Sequence, residues 1–266
     1  REPVTEHGGV LLDLSGNRAF PLGSPELRHW SRPFEAVRLA YGRDAFFGKE
    51  PFEVQPTVHH MMGGILTDTT GCSEVPGLFA AGEARGGVHG ANRLAGMALL
   101  DNIVFGRRAG QTAAGFSASN SAAFSPQGEG AEILEDQVRE CKKRKRGIRA
   151  AGLKREITGA VWHAMGGPRS EERIRSSLER MTAARAQIPD CALAPQQRWN
   201  MDVLDFLELR LMVLSAEAIL RSALIRQESR GAHVWEEKRE QDASFTGKRT
   251  RVTLKNSAMV AQWKGV

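Results

Sequence analysis

Cysteine is scarce in this chain of 266 residues. Its three thiols, Cys72, Cys141 and Cys191, lie far apart with no C-x-x-C pair, which leaves no basis for a disulfide framework or a thiolate metal knuckle and fits a reducing cytoplasm. Long hydrophobic runs are missing too. The longest candidate, "VLDFLELRLMVLSAEAIL", is interrupted by Asp205, Glu208, Arg210 and Glu217, whereas a membrane-spanning helix needs about 20 consecutive apolar residues. The first residues contain no charged-then-apolar leader and no strand followed by G-x-G-x-x-G. With 41% hydrophobic and 26% charged residues the composition is that of a globular protein, long enough for one large domain or two to three smaller ones.

What is present begins with a positive balance, +6 net, compatible with nucleic acid, an acidic surface or an anionic ligand. The densest basic run, "KKRKRGIR" (142–149), follows the acidic "EILEDQVRE", so it reads first as the solvated face of a helix. Residues 1 to about 55 read as the end of a domain, with "HGGVLLDLSG" a short strand and turn and "SPELRHWSRPFEAVRLAYG" a Ser-Pro helix start. From Gln55 to Gly110 the chain is Gly-rich and poor in charge. There "VPGLFAAGEA" predicts a turn and a short strand ending at Gly82-Glu83, and "RGGVHGANRLAGMALLDNIVFGRRAG" a glycine loop running into a helix from about Gly96, with Leu99, Leu100, Ile103 and Val104 on one face. A strand, a glycine loop and a helix N-terminus form an anion site, because first-turn amides have no internal partner and the dipole favours negative charge. "FSASNSAAFSPQGEG" reads as a linker. Beyond it the pattern is helical, with a Ser170 cap and a long amphipathic segment whose Leu204, Leu207, Leu211 and Leu214 predict a buried face. The last 40 or so residues return to loop and strand, "RTRVTL" alternating like an exposed strand.

The stretch "HHMMGG" (59–64) raises three readings: a metal site, core packing, or the floor of a pocket. No nearby Cys, Asp or Glu completes a ligand pattern, so no metal is expected.

The combination "PTVHHMMGG", "VPGLFAAGE", "GGVHGANRLAGMALLDNIVFGRRAG" and "ALIRQESRGAH", in this order, closely resembles the flavoprotein subunit of the succinate dehydrogenase and fumarate reductase family, which also includes L-aspartate oxidase. The resemblance runs from about Val4 to His233. It implies FAD, hydride exchange between flavin N5 and a carbon next to a carboxylate, and a dicarboxylate held by His59 and Arg93, with His60 a further catalytic candidate. Glu83 would accept hydrogen bonds from the FAD ribose, the amides of Ala98 and Leu99 would face the pyrophosphate, and Gly63 and Gly64 would lie against the isoalloxazine. Asn92 is placed with these cofactor-binding residues. A guanidinium suits the substrate role, since its planar fork binds a carboxylate bidentately.

The resemblance thus implies an α/β plus all-α fold: the end of a capping domain (1–55), the C-terminal portion of an FAD-binding domain (56–115), a linker (116–130), a helical bundle (131–230) and a tail (231–266). It also implies partners. One is a chain or segment carrying the N-terminal FAD-binding half and the proton-donating arginine, and another is an iron-sulfur electron-transfer subunit. No nucleic acid is expected, and the cytoplasmic location becomes one peripheral to the inner face of a membrane through partners. Ala95, Met97 and Ala98 depart from the usual "GANRLGGNSLLD", removing side-chain hydrogen bonds to the cofactor. Two alternatives stay open: an L-aspartate-oxidase-type component, and a flavin-free structural or regulatory subunit.

Overall fold

A computed structural model of the chain describes residues 9–13, 39–42, 50–55, 57–120, 129–256 and 258–265. The chain divides into two compact units, Arg1–His59 and His60–Val266. In the first, β1 (Val10–Leu12) pairs antiparallel with β2 (Phe52–Val54), Val10 opposite Val54 and Leu12 opposite Phe52. Tyr41 ties a helical segment to this pair, its ring 5.2 Å from Phe52 and its hydroxyl donating to the Glu53 carbonyl at 2.9 Å. The expected helix start at Ser24-Pro25 lies outside the described residues.

The second unit opens with short pairings rather than long strands. Residues 71–73 and 78–80 form a miniature hairpin closed at Gly77, whose φ of 81° only glycine adopts freely. Helix α1 (Met97–Ser119) packs beside it, and a Cβ on Gly71 would lie 2.6 Å from the Ala109 Cβ. That close approach explains which face of α1 is buried. Small Ala109 and the polar Asp101 turn inward, while Leu99, Leu100 and Ile103 stand exposed. The helix also runs into the stretch expected to be linker. Phe116 packs edge-on against Phe79 with ring centroids 5.8 Å apart, and the Asn120 side chain donates to the Phe116 carbonyl at 2.8 Å, so residues 116–119 are held in helix.

The bundle consists of α2 (Glu129–Lys143), α3 (Ala150–Met165), α4 (Glu171–Gln187) and α5 (Met201–Ile225). Ser170 caps α4 as the sequence predicts, accepting from the Arg173 amide, with Glu171 and Glu172 favourably placed at the positive end of the helix dipole. Asn200 caps α5 in the same way. The core joins Leu153, Ile157 and Ala160 of α3, Ile174 and Met181 of α4, and Phe206, Leu209, Val213 and Leu220 of α5. Ser177 fits within it because its hydroxyl donates to the Ala160 carbonyl at 2.8 Å. The basic run after α2 is only partly solvated: Arg144 reaches across to the carbonyls of Pro189 and Cys191.

The face expected to be buried on α5 is the wrong one. Leu204, Leu211 and Leu214 are exposed, and the buried row is Phe206, Leu209, Val213, Ala216 and Leu220. Leucine lies on both sides of this helix, so its pattern alone does not select a side. Leu209→Ala is therefore expected to cost about 2–5 kcal/mol of stability, and Leu211→Ala less than about 1 kcal/mol. Urea unfolding of the two variants checks this ordering.

After α5 the chain knots around one carboxylate. Glu228 is fully buried as a side chain and pairs with Arg226 and with Arg230, the latter at 3.0 Å, while accepting from the Asp242 amide at 2.9 Å. Burial alone would raise the Glu228 pKa, but the hydrogen bonds from Arg230 and Asp242 and the two positive charges outweigh it and hold it below the ordinary glutamate value. Nearby, His233 Nε2 sits 2.7 Å from the Arg226 carbonyl, and burial pushes its pKa down to about 4. Strands β3 (Lys248–Lys255) and β4 (Ala258–Gly265) then form an antiparallel hairpin, Lys248 opposite Gly265, against α5. No helix among the described residues is long and apolar enough to cross a membrane.

Candidate functional site

The segment after "HHMM" lies beside the one after "AAGE" as a short parallel seam. Ile65 donates to the Ala84 carbonyl at 2.8 Å and Gly86 to the Ile65 carbonyl at 3.0 Å. Two glycines make this approach possible: a Cβ on Gly64 would fall 2.5 Å from the Ala84 oxygen, and one on Gly86 2.9 Å from the Gly64 nitrogen. The bare backbone of Gly64 thus serves the seam itself, while Gly63 has nothing within 4 Å of where a Cβ would stand and presents an open backbone face.

Glu83, expected at a strand end, lies instead in a single 3-10 turn (Gly82–Ala84). Its carboxylate accepts from the Met61 amide at 2.8 Å and lies 3.4 Å from His60 Nδ1. The His60 side chain is 7% exposed and its Nε2 is buried with no hydrogen-bond partner among the described residues. The doubled histidine thus divides: His60 turns inward, and His59, the last residue of the other unit, is exposed.

Behind His60 stand three charged or titratable residues; His89 and Asp101 lie within the glycine-loop motif and Arg85 just ahead of it, but none is assigned a role there. The His89 ring meets His60 edge-on at 5.2 Å, and its Nε2 lies 3.5 Å from the Asp101 carboxylate. Arg85 lies 4.0 Å from the other Asp101 oxygen, stacks 3.8 Å over the Phe105 ring and donates to the Thr67 hydroxyl at 2.6 Å. Asp101 is 4% exposed, and a buried charge requires such neighbours. Its signal in the sequence is a lone carboxylate in the apolar run "MALLDNIVF".

The loop before α1 carries the remaining candidates. Gly90 and Gly96 adopt φ of 59° and 79°, turning the chain so that α1 begins on Gly96 with no side-chain cap and no acidic residue in its first turn. The amides of Ala98 and Leu99 therefore lie at an uncapped, positive helix end. Asn92 is exposed. Arg93 is half-buried, with one long 3.4 Å hydrogen bond to the Leu94 carbonyl and its Nε buried without a partner. These residues fit FAD: an open glycine backbone for a flat ring, an uncapped helix end for a diphosphate, and a carboxylate on the adjoining turn for a ribose.

The arrangement defines a part of a dinucleotide-binding domain joined to a helical domain, and comparison with known proteins gives its family. Residues 30–99 match an FAD binding domain, and residues 154–264 match the fumarate reductase flavoprotein C-terminal model. The chain is 34% identical over 232 residues to the fumarate reductase flavoprotein subunit of Escherichia coli, covering 84% of this chain and 37% of that one. To the 8-methylmenaquinol:fumarate reductase flavoprotein subunit of Wolinella succinogenes it is 32% identical over 274 residues, covering 97% and 42%. A solved E. coli quinol fumarate reductase flavoprotein superposes with a TM-score of 0.82 at 29% identity, covering 98% of this chain and 45% of that one. The chain belongs to the succinate dehydrogenase and fumarate reductase flavoprotein family, a family of FAD-dependent oxidoreductases, and corresponds to part of such a flavoprotein. It spans about two fifths of the length of the curated relatives it matches.

Proposed function

We propose that this chain is the C-terminal part of an FAD-dependent flavoprotein that interconverts succinate and fumarate or a closely related dicarboxylate. The observation that carries the reading is Arg93: a guanidinium with a buried, unpartnered Nε, four residues ahead of the uncapped start of α1. Such a fork binds a carboxylate bidentately and stays charged at every working pH. His59 adds an imidazole to the same carboxylate, and His60, held by Glu83 and backed by His89, lines the cofactor side. When bound, FAD supplies hydride exchange at its N5 with the carbon beside that carboxylate. The chain's own residues contribute positioning and charge: Arg93 and His59 bind and orient the substrate, and the uncapped end of α1 takes the diphosphate.

The proton-donating arginine and the rest of the FAD-binding domain come from outside these residues, on the same polypeptide or a partner. The exposed apolar face of α1, with Leu99, Leu100 and Ile103, supports a covering segment of that kind. An electron-transfer partner carrying iron-sulfur clusters and a place at the inner membrane face follow the same reading.

Arg93→Lys tests it. The charge stays while the planar fork is lost, so dicarboxylate binding by the complete flavoprotein should weaken by about 1.5–3 kcal/mol, roughly ten- to more than a hundredfold in dissociation constant. Unchanged fumarate and succinate affinity would remove Arg93 from the clamp.

A further inference from the structure

Within the second unit a cavity of about 790 Å³ opens between the glycine seam, the C-terminal end of α5 and the β3–β4 hairpin. It shares Gly63 and Gly64 with the site described above, but none of His60, Glu83, Arg93, Ala98 or Leu99 lines it. Its size is that of a pocket for a small organic molecule, typically about 300–1,000 Å³.

Its charge is strongly one-sided. Arg169, Arg226, Arg230, Lys248, Arg249 and Arg251 line it, against the single carboxylate of Glu74. Part of this excess is spent. Glu74 pairs with Arg251, and Glu228 neutralises Arg226 and Arg230 from outside the lining. Two guanidinium groups remain unmatched. Arg249 has no hydrogen-bond or ion-pair partner among the described residues, its Nε is buried, and its NH1 lies over the glycine loop, 3.8 Å from where a Gly87 Cβ would stand. The Arg169 guanidinium donates to the Ala232 carbonyl at 2.9 Å, and its Nε is also buried and unpartnered among the described residues. The rest of the wall is bare backbone at Gly63, Gly64, Gly86 and Gly87 and apolar side chains such as Ile65, Leu78 and Phe245.

A guanidinium nitrogen buried without a partner is costly, and a bound anion supplies the missing acceptor through charge-assisted hydrogen bonds. The apolar wall adds affinity for a hydrophobic body, which inorganic phosphate or a small dicarboxylate does not offer. We infer that this cavity is a second ligand site, separate from the carboxylate clamp, for an organic anion with an apolar body whose charged head is held by Arg249 and Arg169. The inference does not depend on Arg93 or on the dicarboxylate reading.

Calorimetric titration of the complete, FAD-loaded flavoprotein with naphthalene-2-sulfonate tests it, with the neutral naphthalene-2-sulfonamide as the control for charge. Saturable sulfonate binding is expected, at least tenfold tighter than the sulfonamide, weakened at least tenfold by Arg249→Gln, unaffected by Arg93→Lys and not displaced by fumarate. The sulfonate-against-sulfonamide comparison uses the unaltered protein and holds even if the arginine variant fails to fold. Absence of saturable binding, equal affinity for the two probes, displacement by fumarate, or full affinity in a folded Arg249→Gln protein would overturn the inference.

Discussion

Glu228→Gln is expected to lower the unfolding free energy by about 3–5 kcal/mol, the scale for removing one partner from a buried ion pair. Glutamine keeps nearly the same shape but carries no charge, so Arg226 and Arg230 lose the one carboxylate between them and the Asp242 amide loses a charged acceptor. The consequence reaches beyond the knot. Arg226 also donates to the Lys248 carbonyl and stacks on Trp263, so Glu228 indirectly fixes the β3–β4 hairpin against α5. Guanidinium-induced unfolding followed by Trp fluorescence checks the magnitude. A loss below about 1 kcal/mol would mean that the pair is worth no more than a surface contact. Because the folded Glu228 pKa is depressed, its contribution is present above the ordinary glutamate value and is lost as pH falls below it.

A second loss sets in at higher pH. Burial holds His233 neutral with a pKa of about 4, whereas in the unfolded chain an imidazole titrates near 6.5. Between these values the unfolded chain binds the extra proton, so stability is fully present above about pH 6.5 and declines as pH falls toward 4. The difference of about 2.5 pKa units corresponds to roughly 3 kcal/mol at the acid end. Stability measured from pH 7.5 to 4.5 should fall along this curve, and His233→Gln should flatten it while lowering stability at neutral pH, since the imidazole contacts the Arg226 carbonyl and Trp235. An unchanged profile in the variant would place the titration on another group.

The motifs were legible where one residue type is forced by local geometry. Gly90 and Gly96 occupy left-handed backbone, and Ser170 caps α4. These are short-range requirements that a sequence states directly. The family was legible from the order of the motifs around His59, Glu83 and Arg93, and the α/β plus helical class followed from it.

What could not be read depends on partners distant in the chain. Leu211 and Leu209 are chemically identical, and only the positions of α3 and α4 decide that Leu209 is buried. The inward face of α1 is set by the contact between Gly71 and Ala109, 38 residues apart, which favours small residues over the leucines that a hydrophobic pattern selects. The His89, Asp101 and Arg85 group follows no motif spacing, because its members meet through the fold of a loop against a helix. Gly64 carries a subtler lesson. Its lack of a side chain also answers a demand within the fold, since the Ala84 carbonyl of the neighbouring segment lies where a Cβ would stand.

The central claim is that this chain contributes one side of an FAD cleft, with the uncapped end of α1, Glu83 and His60 on the cofactor side. Its most direct test is flavin uptake, measured by visible absorbance after gel filtration, when this chain is combined with the polypeptide carrying the rest of the FAD-binding domain. The account predicts stoichiometric flavin in the assembled pair and little in this chain alone, with Glu83→Ala reducing the amount retained by the pair. An assembled, folded pair that holds no flavin would contradict it and leave the chain as a structural or regulatory member of its family.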